Sequence, residues 1–151
     1  MKNCNLYLGI LGFALFVSAS GPARAAGCTI TSAAVVFPNY DVANAAPTTA
    51  APLVQLSCNG NGAATISIGA SSVSGSIPSR QMKHATLPDR LNYNLYTSSG
   101  YTTVWGTAAG STYTIASIKT TDTATIYARI PAGQDVSVGS YSDTVTLSIT
   151  P

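Results

Sequence analysis

The sequence predicts an all-β sandwich closed by one disulfide, and three observations lead there. Apolar residues recur at every second position in short runs, and no long stretch carries them at helical spacing. Turn residues separate these runs at intervals of about 8–12 residues, the rhythm of a sandwich or barrel. Two cysteines, Cys28 and Cys58, fall on the apolar faces of neighbouring runs. A small barrel would leave that cysteine pairing without an obvious use, which favours the sandwich.

Taken in chain order, the first candidate strand is Cys28–Phe37, with Cys28 and Ile30 on one face. Asn44 to Pro52 (NAAPTTAAP) reads as a Pro/Ala/Thr loop. Leu53–Cys58 places Val54, Leu56 and Cys58 together, and Asn59-Gly60-Asn61-Gly62 then reverses the chain, because Asn and Gly tolerate positive φ. Thr65–Ile68 alternates. Gly69 to Asp89 is Ser-rich and irregular and gives the weakest pattern. Leu91–Tyr96 puts Leu91, Tyr93 and Leu95 on one face. Short runs follow at Thr102–Trp105 and Tyr113–Ile118, bounded by Ser98-Ser99-Gly100 and by Ala108-Ala109-Gly110-Ser111. Ile126, Ala128 and Ile130 share a face, and Pro131-Ala132-Gly133-Gln134 ends that strand. Val145, Leu147 and Ile149 line the last one.

The first residues do not belong to this pattern. Lys2 begins a positive n-region, Leu6 to Val17 is apolar, and Ala23-Arg24-Ala25 offers small residues at the −3 and −1 positions of a signal peptidase site. Residues 1–25 are therefore expected to be a secretory signal peptide cut between Ala25 and Ala26, leaving 26–151 as one β-sandwich domain. The apolar run is shorter than the roughly 20 residues a membrane span needs. Export through the Sec pathway leads to an oxidising compartment, where Cys28 and Cys58 are expected to pair. A competing reading is lipidation of Cys28, since Ala25-Ala26-Gly27-Cys28 partly resembles a lipobox.

Composition narrows the function. Once Lys2 and Arg24 leave with the leader, Arg80, Lys83, Arg90, Lys119 and Arg129 face Asp41, Asp89, Asp122, Asp135 and Asp143, so the net charge is near zero. No basic stripe is evident, which argues against nucleic acid as a partner. Charged residues make up 8% of the chain, against about 25% in ordinary soluble domains. Sparse charge favours self-association and a place in an assembly.

No catalytic constellation is readable. His84, the single histidine, is expected to be a solvated loop residue. The cysteines are committed to each other, so no zinc ligand set remains. Four of the five aspartates sit beside turns, and Asp143 is expected to pair locally. Neither a cofactor nor a small-molecule substrate is expected. Tyr93, Tyr96, Tyr101, Trp105 and Tyr113 are candidates for a sugar platform, but core or rim packing is the favoured reading, with Tyr93 on the apolar face of its strand and half exposure open for Trp105 beside Gly106.

Several stretches carry a resemblance: Arg80-Gln81-Met82, Leu91 to Tyr96, Trp105-Gly106, Tyr127 to Gln134, and above all Gly139 to Ile149 (GSYSDTVTLSI). With Phe37-Pro38-Asn39-Tyr40-Asp41 and the cysteine pair, in this order and spacing, the chain resembles the spore coat protein U family, which includes subunits of archaic chaperone–usher pili. Pro38 stands where that family has Gly.

The resemblance implies an immunoglobulin-like sandwich lacking one strand. It implies as partners a periplasmic pilus chaperone, an outer-membrane usher and neighbouring pilus subunits that supply the missing strand, with a final place on the cell surface and a role in attachment or biofilm formation. Shaft subunits of this kind carry a donor segment before the first cysteine. After cleavage at Ala25–Ala26 only Ala26 and Gly27 would precede Cys28, so a tip or end subunit is expected. The alternatives are a self-contained secreted coat or surface-binding protein and, more remotely, a polysaccharide hydrolase built on two converging carboxylates.

Overall fold

The computed structural model describes residues 27–59, 62–117 and 120–150. The leader, its Ala25–Ala26 cleavage site and the centre of the Asn59–Gly62 turn lie outside these residues. The described strands are β1 (Gly27–Ser32), β2 (Thr48–Ala50), β3 (Leu53–Asn59), β4 (Ala64–Ile68), β5 (Arg80–His84), β6 (Arg90–Tyr96), β7 (Tyr113–Ile115), β8 (Thr121–Thr125), β9 (Tyr127–Ile130), β10 (Tyr141–Ser142) and β11 (Leu147–Thr150). They form three sheets, ordered β1-β3-β8, β10-β5-β6-β9-β2 and β11-β4-β7. The fold is all-β, consistent with an immunoglobulin-like sandwich, and a disulfide joins Cys28 to Cys58 across the directly opposed positions of β1 and β3.

The alternating runs form the core as their pattern requires. Val54, Leu56 and Cys58 of β3, Ala64, Ile66 and Ile68 of β4, Leu91, Tyr93 and Leu95 of β6, and Ala128 and Ile130 of β9 are buried in one cluster. Trp105, for which core or rim packing is the favoured reading from the sequence, is fully buried. Its indole N–H donates to the Ile66 carbonyl at 2.9 Å, and its backbone N–H donates to the Leu95 carbonyl, so it fastens β4 to β6. A buried indole needs such an acceptor.

One two-stranded ribbon passes from sheet to sheet. β2 pairs with β9 in the five-stranded sheet, and β3 pairs with β8 in another, yet the register runs on unchanged from Thr48↔Ile130 through Leu53↔Thr125 to Ser57↔Thr121. The bend falls at Pro52, opposite buried Ile126, whose N–H donates to the Pro52 carbonyl at 3.0 Å. Proline has no N–H to return that bond, so the ladder is weakest where the ribbon folds over. The sequence places 44–52 in a loop; β2 forms inside it because Thr48–Ala50 lie opposite Ile130–Ala128.

Gln134 solves a similar problem at the end of β9. The β6–β9 register continues to Asn92 opposite Pro131, which again cannot donate. The Gln134 carboxamide substitutes for the missing peptide group: Oε1 accepts from Asn92 N–H at 2.7 Å, and Nε2 donates to the Asn92 carbonyl at 2.9 Å. The backbone N–H of Gln134 in turn donates to the Tyr40 hydroxyl at 2.7 Å, tying down the Phe37–Asp41 segment.

Candidate functional site

The sandwich is open between its first and last strands. Among the described residues β1 hydrogen-bonds only β3, and β11 only β4. The two run side by side without pairing each other. Beyond Ser32 the chain leaves β3 and continues unpaired through Ala33–Phe37. Between this segment and Tyr141–Leu147 lies a cleft of about 370 Å³. Its floor is core: Met82, Tyr93, Leu95 and Ile126.

The burial pattern marks the same place. Along Tyr141–Thr150 the inward residues Tyr141, Asp143, Val145, Leu147 and Ile149 are only half-buried, as are Cys28, Ile30, Val35 and Phe37 on the facing segment. Core residues away from the cleft, such as Val54, Ile66 and Ile68, have no exposure at all. Two unpaired strand edges with an apolar floor between them can accept an extended apolar segment as a strand.

Asp143 sits on the rim of this cleft and does not pair locally, as its position at the start of a strand suggests. The C-terminal chain there crosses from β5, which it meets at Tyr141–Ser142, to β4, which it meets from Leu147. Asp143 pins the crossing. Its carboxylate accepts from the Ser72 hydroxyl at 2.8 Å and from the Tyr93 hydroxyl at 2.8 Å. Burial alone would raise its pKa. Hydrogen bonds from the Tyr93 and Ser72 hydroxyls and the Val73 amide, with the Ser71 hydroxyl and the Thr144 amide close by, outweigh that and hold it below the ordinary value of 3.8. Burial, together with the bond to Asp143, pushes the Tyr93 phenol up.

A carboxylate depressed in the folded state contributes stability that is fully present above its unfolded value and is lost as pH falls through its folded one. The urea midpoint is therefore expected to hold steady down to about pH 4 and to fall below that. Asp143→Asn should flatten this acid limb without removing it, because Asp89, held down by the Ser137 amide, also contributes. An unchanged limb in the variant would refute the assignment.

Behind the cleft lies Arg80, fully buried, with a guanidinium held by oxygens that carry no charge. Nη1 donates to Asn94 Oδ1 at 2.6 Å. Nη2 donates to the carbonyls of Gly69 and Trp105, both at 2.8 Å, and of Ile68 at 3.1 Å; Nε also donates to Gly69. Burial lowers its pKa, opposed by Tyr93 and Asp143. The guanidinium fork gathers the end of β4, β6 and the Trp105 loop at one point.

His84 corrects another expectation. It is buried at the end of β5, not solvated in a loop. Its Nδ1 accepts from the Thr86 and Leu87 amides, which leaves Nε2 to donate to the Val138 carbonyl at 3.2 Å. A Cβ on Gly139 would run into the ring, so glycine is required there. His84 thus fastens two loops together. Among the described residues no cluster of histidine, cysteine or acidic side chains could hold a metal ion.

Comparison with known proteins accounts for this architecture. The Spore Coat Protein U domain matches residues 13–148. The chain belongs to that family. The Spore Coat Protein U family consists of structural proteins, not enzymes. The chain is 32% identical over 74 residues to Protein U of Myxococcus xanthus, covering 49% of this chain and 41% of that protein. In fold it is similar to a chain in the CsuC–CsuE chaperone–tip adhesion subunit pre-assembly complex from archaic chaperone–usher Csu pili of Acinetobacter baumannii. That match has a TM-score of 0.60 and 21% identity, and covers 83% of this chain and 40% of the other. A weaker likeness, with a TM-score of 0.46 and 13% identity over 83% of this chain and 42% of the other, links it to a chaperone–tip adhesin complex of CFA/I fimbriae. The chain spans less than half the length of each of these relatives.

Proposed function

We propose that this Spore Coat Protein U domain is an exported subunit of an archaic chaperone–usher pilus that accepts a strand from its partners. The observation that carries the reading is the cleft between the unpaired Ala33–Phe37 segment and Tyr141–Leu147, where core side chains are left half-covered. A periplasmic chaperone fills the cleft first, and a neighbouring subunit's extended segment replaces it at the outer-membrane usher. The leader, cut between Ala25 and Ala26, directs the chain through the Sec pathway. Cleavage there leaves two residues ahead of Cys28, and on this reading the chain takes a tip or end position in an adhesive fibre that serves surface attachment and biofilm formation.

The test is expression with the native leader in a periplasm lacking pilus chaperones. Folded monomer is expected to be scarce and to rise at least tenfold with the cognate chaperone, or when a six-residue alternating apolar segment is fused through a flexible linker to the C-terminus. A stable monomer that unfolds cooperatively by itself would overturn the proposal and leave a self-contained secreted coat protein.

A further inference from the structure

The two outer faces of the sandwich differ in charge. On the face of β1, β3 and β8 turned away from the core, Thr29 stands beside Ser57 and Thr121, and Gln55 beside Thr123. On β4 and β11, Ser67 stands beside Ser148 and Thr65 beside Thr150. These rows carry only hydroxyls and amides. Among the described residues the basic side chains outside the core are Lys83, Arg90 and Arg129, and all three stand on the outer face of the five-stranded sheet.

That face is organised. Lys83 lies directly opposite Arg90. The next row is a belt of amides: Gln81 Nε2 donates to Asn92 Oδ1 at 2.9 Å, and Asn92 Nδ2 donates to Gln134 Oε1 at 2.8 Å. Further along, Arg129 pairs in register with Asn94, four residues from Arg90, or about 13 Å at the usual strand rise. Arg129 lies over the Tyr101 ring, 5.4 Å from its centroid, and Tyr101 meets Tyr96 edge to face with centroids 5.4 Å apart. Tyr96 lies opposite Tyr127.

Tyr101 has a φ of 51°, the only positive value among the described non-glycine residues. A bulky residue there is strained, and such strain persists where the surroundings hold it, often at functional sites. The turn that imposes it, closed by Tyr101 N–H to the Ser98 carbonyl and Thr97 N–H to the Thr103 carbonyl, lays the ring back over the sheet.

We propose that this face binds an acidic polysaccharide. Cations at both ends suit spaced carboxylates, the exposed Asn92 and half-buried Gln81 amides suit sugar hydroxyls, and half-buried tyrosines offer flat apolar rings. Three cations are too few for a densely charged polyphosphate, which disfavours nucleic acid. Of the sugar-platform candidates in the sequence, Tyr96 and Tyr101 meet here, whereas Tyr93 and Trp105 are core. The site is remote in chemistry from the strand-accepting cleft and stands whether or not that cleft is filled.

The test is affinity electrophoresis of the exported protein, free or in complex with its chaperone, through gels containing polygalacturonate, dextran or polyphosphate. Retardation by polygalacturonate alone, weakening steeply with salt, is expected. Lys83→Ser combined with Arg129→Ser should weaken it at least tenfold. Tyr101→Gly should weaken it several-fold while leaving the urea midpoint unchanged or raised, since glycine tolerates the positive φ. Ser57→Ala with Thr123→Ala, on the opposite face, should change nothing. No retardation, equal retardation by dextran, or equal retardation by polyphosphate would each overturn the proposal, the last in favour of a general polyanion surface. Full binding by the Lys83/Arg129 variant would also overturn it.

Discussion

Arg80→Met is expected to cost about 3–5 kcal/mol, a large part of the stability of a domain this size. Methionine fills much of the same space, so the loss would come from acceptors. The carbonyls of Ile68, Gly69 and Trp105 would lose this donor inside the core, while Asn94 Oδ1 would keep only the Leu95 N–H. Each unsatisfied buried group costs about 1–3 kcal/mol, and neighbouring ones do not add fully. Arg80→Lys should recover only part of this, because an ammonium cannot present the same planar fork. Urea unfolding of the three proteins under one condition, with chaperone or fused strand held constant, measures the difference. A loss below about 1 kcal/mol for the methionine variant would mean the carbonyls find other donors.

Removing the disulfide should have an effect of comparable size by another route. Cys28 and Cys58 are 30 residues apart in sequence, and the chain-entropy estimate for such a loop is about 3–4 kcal/mol. The bridge also fastens β1 to β3, and β1 leads directly into the Ala33–Phe37 segment that forms one wall of the cleft. Cys28→Ser with Cys58→Ser should therefore loosen one wall of the acceptor site. Chaperone-bound yield is expected to fall together with the urea midpoint. A drop in stability with normal chaperone capture would show that the bridge serves the core alone.

Much of the fold was legible because its central strands alternate cleanly. Val54, Leu56 and Cys58, or Leu91, Tyr93 and Leu95, each announce a face, and the structure buries those faces. The misses share a physical cause. β2, β5, β8 and β10 are short or polar, and for β2, β8 and β10 partners distant in sequence dictate the pairing. Arg80 begins β5 with a buried charge, which no hydropathy pattern reveals, since its partners are carbonyls up to 25 residues away. His84 looked solvated because it follows Lys83, yet alternation alone turns it inward when Lys83 faces out. Half exposure of Trp105 stayed open beside Gly106, yet the strand-end loop there is tightly packed, with a Cβ on Gly106 falling 3.1 Å from Ile77 and Ser111. The cleft could be inferred only from the resemblance, because a strand that a partner supplies leaves no trace in the acceptor's own periodicity. Tyr101 and Arg129 are separated by a whole hairpin and more, so their stacking was not readable.

The ribbon that bends at Pro52 has a consequence for how this chain can change over time. Its two arms keep one register across two sheets, from Thr48↔Ile130 to Ser57↔Thr121. Inserting or deleting one residue in either arm would invert every side chain beyond that point, and next to the bend it would scramble both layers of the sandwich in a single event. Length is therefore locked in 48–59 and 121–130, while the connections between them are free to grow or shrink. Diversity among relatives should accumulate as substitutions within the ribbon and as length changes only outside it.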